Sequence, residues 1–265
     1  MYNKLTLAKK WFQYYRTASN GVGHGIHSPF VFDFVKNVLN DHRYYYIFAP
    51  IELLRQDLKG NHSFIHVDDL GAGSAVSKSN QRSVAEIAKH ALKPKKLAQL
   101  LFRTVNHYQP ETIVELGTSL GITTAYMAAA NGNANVFTIE GSYSIAEIAR
   151  RNFRQLDIYN IHLIEGGFDS ALPHLLEKVK QVDFAFVDGN HRLEPTVRYF
   201  EMLVHYSNEN TIIVFDDIHW SEEMELAWRK IQNHADVTCT IDLFFLGFVF
   251  LRKDFKVKQH FTIRF

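Results

Sequence analysis

Across residues 112–251 the chain repeats one pattern, a short β-branched run followed by a segment with helical spacing. The runs are T-I-V-E-L, N-V-F-T-I-E, I-H-L-I-E, V-D-F-A-F-V-D and T-I-I-V-F-D-D. Strands separated by helix-length connections pair in parallel, because a parallel neighbour needs a crossover. The runs are apolar on both faces, as strands covered by helices on each side are. After a helix-like stretch at 222–231, V-T-C-T-I-D and F-F-L-G-F-V-F-L follow too closely for another crossover, so they pair antiparallel. The pattern predicts a Rossmann-like, doubly wound α/β sheet of seven strands with one antiparallel strand near its edge.

Upstream of Pro110 the texture is helical. Leu5, Ala8, Trp11, Phe12 and Tyr15 fall at helical spacing, G-V-G-H-G-I-H-S-P-F breaks the chain, and F-V-F-D-F-V-K-N-V-L resumes it. Further helical stretches lie near 82–92 and 96–107. With 265 residues the chain holds one large α/β domain and an extension, so 1–110 is expected as a mostly helical cap and 111–265 as the ligand-binding domain. The 29 basic and 28 acidic residues nearly cancel, so no whole-molecule field points to nucleic acid or to a membrane, and neither partner is expected. The most apolar stretch, 241–251, is too short for a bilayer span and contains Asp242. The N-terminus lacks the apolar core and small-residue cleavage site of a secretory signal, which predicts a cytoplasmic protein. A single cysteine, Cys239, excludes an intrachain disulfide and multi-cysteine zinc sites and reads as an inert buried thiol.

Two glycine-bearing segments compete for a nucleotide-like ligand. I-V-E-L-G-T-S-L-G follows a strand and opens the helix T-T-A-Y-M-A-A-A, and the next strand ends at Glu140. Gly117 and Gly121 let the backbone approach a ligand, free amides at the helix start can hold a carboxylate, and Glu140 is placed to accept from two ribose hydroxyls. Ser119 stands where a dinucleotide fingerprint needs its second glycine, and no G-K-[ST] phosphate loop occurs. The rival D-D-L-G-A-G-S leads into a polar run without a helix start. It reads as a lid loop, with Asp69, Ser74 and Lys78 as its useful groups, or as a plain surface turn.

Two strand ends are acidic: D-G-N-H carries Asp188 and His191, and F-D-D-I-H-W carries Asp216, Asp217 and His219. Ligands of open α/β sheets bind outside the carboxyl ends of the strands. Three carboxylates gathered there repel one another unless protonated, hydrogen-bonded or neutralised by a cation, and such oxygen donors suit Mg2+, Mn2+ or Ca2+. Alternatively, Asp188 contacts a cofactor or acceptor while Asp216 and Asp217 cap the next helix. His191 can act as a base near neutral pH or bond a neighbouring carboxylate, and His219 and Trp220 are weaker candidates. His24, His27, Ser28 and Phe30 form a second polar and aromatic concentration, a structured loop or a functional one. R-Y-Y-Y at 43–46 and the aromatic first helix shape an acceptor pocket or a homodimer face, or simply pack.

Together these motifs resemble the class I S-adenosylmethionine-dependent methyltransferases, in particular the O-methyltransferase branch with the catechol and caffeoyl-CoA enzymes and a related bacterial branch. E-L-G-T-S-L-G resembles the family's first motif, which implies cofactor contacts from Glu115, Gly117, Thr118, Ser119 and Gly121. Glu140 matches the acidic ribose ligand, and E-G-G-F-D-S-A-L-P resembles the adenine-contacting stretch, implying Gly166, Phe168 and Asp169. Asp188 is a candidate for cofactor binding and, with His191, for catalysis. In the metal-dependent members the positions of Asp188, Asp216 and Asp217 hold Mg2+, although Asp217 replaces the asparagine common in the catechol type, and His191 stands where that type carries a lysine base. The resemblance implies S-adenosylmethionine as cofactor, possible help from a divalent cation, and methyl transfer to a hydroxyl oxygen of a small-molecule acceptor. The alternatives are metal-free N-methylation, a metal-dependent hydrolase and a non-catalytic cofactor-binding protein.

Overall fold

A computed structural model of the protein describes residues 1–23, 27–67 and 81–265, so His24 and the expected lid groups Asp69, Ser74 and Lys78 lie outside the described residues. The elements run α1 (Lys4–Thr17), α2 (Pro29–Phe34) with a π-helical continuation (Val35–Leu39), α3 (Phe48–Gly60), β1 (Phe64–His66), β2 (Gln81–Ser83), α4 (Val84–Ala91) and α5 (Lys95–Tyr108). Alternation follows: β3 (Thr112–Leu116), α6 (Ile122–Ala130), β4 (Asn135–Glu140), α7 (Tyr143–Gln155), β5 (Ile161–Glu165), α8 (Phe168–Val179), β6 (Val182–Val187), α9 (Leu193–His205), β7 (Ser207–Asp216) and α10 (Glu222–Asn233). The chain closes with β8 (Cys239–Asp242), β9 (Leu246–Phe250) and β10 (Gln259–Thr262). Two compact units result, one of residues 42–179 and one of residues 1–41 with 180–265.

In the 42–179 unit, β3, β4 and β5 pair in parallel in that order, with Glu115 opposite Thr138 and Glu140 opposite Glu165. The strand interiors are fully buried at Ile113, Val114, Leu116, Val136 and Ile139, which is why these runs carry no polar alternation. α6 is buried on nearly every side, and its Tyr126 ring packs edge-on against Phe48 of α3 and Phe102 of α5. The Tyr126 hydroxyl donates to Glu52 at 2.8 Å, satisfying a polar group that burial would otherwise penalise. α4 opens with a capping box in which Ser83 and Glu86 satisfy each other's backbone amides. Tyr45 packs on Phe48 and Phe102, whereas Tyr44 and Tyr46 are exposed.

In the other unit the strand order is β10-β8-β9-β7-β6. β6 and β7 are parallel, and β9 is the reversed strand, antiparallel to both β7 and β8 as the close spacing requires. β10 adds a strand beyond the expected seven, parallel to β8 with Gln259 opposite Cys239. Its Q-H-F-T sequence is short and polar, so no period-2 signal marks it. α1 and the C-terminus clasp each other: Tyr14 donates to the Ile263 carbonyl, and the Ser19 and Arg264 amides bond Thr262 and Ser19 carbonyls. Ser28 caps α2 and Phe30 packs on Phe250 and Phe255, so both residues serve packing in this segment. Cys239 is buried, and burial pushes its thiol up to about 12, which makes it inert near neutral pH. Among the described residues no helix is long and apolar enough to cross a membrane.

Candidate functional site

Leaving β3, the chain bends through Gly117 at φ +104 and Ser119 at φ +49 before Gly121, at φ +80, starts α6. The first bend position needs glycine for its backbone angle. Gly121 has a packing reason as well: a Cβ there would stand 2.5 Å from the Phe153 ring of α7. The amides of Gly117 and Thr118 donate to the Ile139 carbonyl, and Asn152 holds the Leu120 carbonyl at 2.8 Å, so the bend is tied to β4 and α7.

Beneath the bend lies a buried polar chain. Glu115 Oε2 accepts from the hydroxyls of Thr124 and Thr138, and Thr138 meets the hydroxyl of Thr118. Burial pushes the Glu115 carboxyl up to about 7, opposed by the two threonine hydroxyls and reinforced by the charge of Glu140. The side chains of Glu115 and Thr118 thus take part in the hydrogen bonding beneath the bend.

Glu140, half-buried at the end of β4, accepts the Ser119 amide at 2.8 Å on Oε2 and the Ser142 amide at 2.9 Å on Oε1. The hydroxyls of those same two serines are buried and have no hydrogen-bond partner. Buried hydroxyls without partners are costly, and two of them beside one carboxylate form a cradle whose capacity a polyhydroxyl ligand would fill. Sequence reasoning missed Ser142; the only signal was its place two residues past Glu140. Gly166, at φ +145 after β5, donates its amide to the Glu140 carbonyl at 3.0 Å, which places the third strand end beside the second. Phe168 is half-buried and Asp169 exposed in the first turn of α8.

In the other unit, Asp188 directly follows β6 and Asp216 ends β7, adjacent parallel strands that deliver their termini to one edge. Donor atoms of Asp188, His191 and Asp216 all lie within 4.8 Å of one another. His191 Nε2 stands 3.7 Å from Asp188 Oδ1, an ion-pair spacing rather than a hydrogen bond. Asp217, expected as the third cation ligand, is outside this group among the described residues. Successive strand residues face opposite sides, and at φ +53 Asp217 turns the chain so that its amide donates to the Phe245 carbonyl at 2.7 Å. The N-cap of α10 is Ser221, which accepts the Met224 amide. Two carboxylates and an imidazole form a donor set suited to a divalent cation.

His219 is committed elsewhere. Its ring bridges Glu225 at 3.2 Å and Asp242 at 2.8 Å and stacks on Phe244. Burial disfavours its charge, but the two carboxylates outweigh this and raise its pKa. The neighbouring Trp220 gives its carbonyl to the Tyr2 amide, so this loop anchors the start of α1.

Residues 114–218 match the model of a methyltransferase domain. A catechol O-methyltransferase of Niastella koreensis is 29% identical over 42% of this chain and 50% of its own length. An uncharacterised protein of Acanthamoeba polyphaga mimivirus is 29% identical over 45% of this chain and 58% of its own length. The chain thus spans about half the length of the curated relatives it matches. Over residues 114–218 the chain is thus similar to a methyltransferase domain, and over part of its length to a catechol O-methyltransferase. Solved structures carry the same fold at low identity. The O-methyltransferase of Bacillus cereus in complex with SAH superposes with a TM-score of 0.56 at 17% identity, covering 80% of this chain and 93% of that one. The SAH-bound methyltransferase of Podospora anserina superposes with a TM-score of 0.59 at 12% identity over 96% and 98%. The span matched by the methyltransferase-domain model begins at Val114, just before the glycine bend, and ends two residues after Asp216.

Proposed function

We propose that the protein transfers the methyl group of S-adenosylmethionine to a hydroxyl oxygen of a small molecule. The observation that carries this reading is the cradle at Glu140, where the carboxylate and the unpartnered hydroxyls of Ser119 and Ser142 offer a ribose its hydrogen bonds. Gly117, the first amides of α6 and Gly166 extend the donor site, with Phe168 and Asp169 toward the adenine. The donor's sulfonium is itself the electrophile, so the chain has to position two partners and remove one proton. Asp188 orients the His191 imidazole, which takes the proton of the acceptor hydroxyl, and Asp216 supports the acceptor from the buried end of β7.

A second reading rests on the clustering of Asp188, His191 and Asp216: these three would hold a divalent cation, which supplies a Lewis acid that lowers the pKa of a hydroxyl. The tests are separable. Calorimetry with S-adenosylmethionine or S-adenosylhomocysteine should give saturable binding that Gly117→Arg abolishes; retained affinity in that variant sinks the donor site. Turnover of a catechol-type or other hydroxyl acceptor that survives a chelator supports His191 as the base, and loss restored by Mg2+ or Mn2+ supports the cation.

A further inference from the structure

α1 has two apolar faces and only one of them is covered. Its inner face packs Leu7, Tyr14 and Ala18 against Phe244, and Lys10 and Tyr2 fasten it to Glu225. The outer arc carries Leu5, Ala8, Trp11, Phe12 and Tyr15, of which Leu5 is 77% exposed, Phe12 58%, Tyr15 46% and Trp11 40%. These residues recur at helical spacing and form one contiguous stripe, and they include large aromatics that a solvated helix face normally lacks. Lys4, Lys9 and Arg16 are exposed around the stripe, and no acidic residue occurs in the chain before Asp33.

We propose that this outer face of α1 docks on an anionic lipid bilayer, lying in the plane of the interface. Trp, Tyr and Phe suit the headgroup boundary, and a rim of Lys and Arg adds attraction to anionic headgroups. The charge argues against a second copy of the chain as occupant, since two paired α1 helices would bring only cations together at the rim. The near balance of 29 basic and 28 acidic residues conceals this patch, because the compensating carboxylates lie elsewhere. The inner-face contacts hold the helix in place, so docking requires no unfolding of the helix.

The full-length protein should cosediment with vesicles of phosphatidylcholine containing phosphatidylglycerol and not with phosphatidylcholine alone, and added salt should release it. Leu5→Glu combined with Phe12→Glu should lower the bound fraction on the order of tenfold while leaving the thermal unfolding midpoint in place. Should that variant fail to fold, the charge variant Lys4→Gln, Lys9→Gln, Arg16→Gln carries the same expectation, because these groups are solvated. Three results overturn the proposal: no vesicle binding, equal binding to neutral and anionic vesicles, or a dimer in sedimentation velocity that Leu5→Glu with Phe12→Glu splits.

Discussion

At the bend after β3, Thr124, Glu115, Thr138 and Thr118 are linked by a chain of buried hydrogen bonds, and Asn152 and Phe153 brace the backbone from α7. At the ends of β6 and β7, by contrast, Asp188 and His191 are half-exposed and 3.7 Å apart, and only Asp216 is buried. A closed backbone bend is preorganised, whereas half-exposed side chains can still adjust to what binds beside them; on the proposed reading the first grips the donor and the second serves the acceptor. Substitutions at the bend should therefore register in stability and donor affinity, and those at the acidic strand ends in turnover alone.

The largest effect is expected at Gly121. Replacing it by alanine combines a left-handed backbone with displacement of the Phe153 ring, at a cost of about 3 kcal/mol. Urea unfolding checks this, and a loss below about 1 kcal/mol would mean that α7 yields and the bend is not rigid. Next comes Glu140→Ala, which removes charge-assisted bonds to the Ser119 and Ser142 amides and, on the proposed reading, to the donor; it should weaken donor binding by at least about thirtyfold in calorimetry. Asp216→Asn should leave that affinity within about twofold while cutting turnover by about a hundredfold. Equal loss of donor affinity in both variants would erase the contrast between the two regions.

Acid–base behaviour sharpens it further. The folded carboxyl of Glu115 sits near 7 against an ordinary 4.5, so the folded state holds the extra proton. Its contribution to stability is complete below about pH 4.5 and is lost as pH rises through about 7, a decline of up to about 3 kcal/mol. Unfolding measured at pH 5 and pH 8 should show this decline in the native protein and a flatter profile in Glu115→Gln. The smallest effect belongs to His219, whose pKa is raised because Asp242 and Glu225 overcome the penalty of burial. Its stabilising share is present below its ordinary 6.5 and fades as pH climbs past the raised value. His219→Ala should cost about 1 kcal/mol at pH 6 and less at pH 9, with donor affinity unchanged.

Much of this architecture was legible. Parallel strands buried on both faces must be continuously apolar, so β3, β4, β6 and β7 stand out, and the short gap before β9 forces its reversal. The polar four-residue β10 had no such mark, because its place is set by pairing with β8 and by the clasp on α1. At the candidate site, Gly117 and Glu140 were readable from a glycine after a strand and an acid at the next strand end. Ser142 was not, since a serine in a loop has no pattern until its amide is seen on Glu140.

The sequence by itself determined the alternation of strand and helix, the glycine bend and the acidic strand ends, because periodicity, backbone freedom and charge are local properties. Only the tertiary structure decided which way side chains at those positions turn: Glu115 and Thr118 inward, His191 rather than Asp217 beside Asp188 and Asp216, and His219 onto Asp242. Each of those outcomes depends on a neighbouring strand or helix brought close by folding, and no local spacing encodes which neighbour arrives.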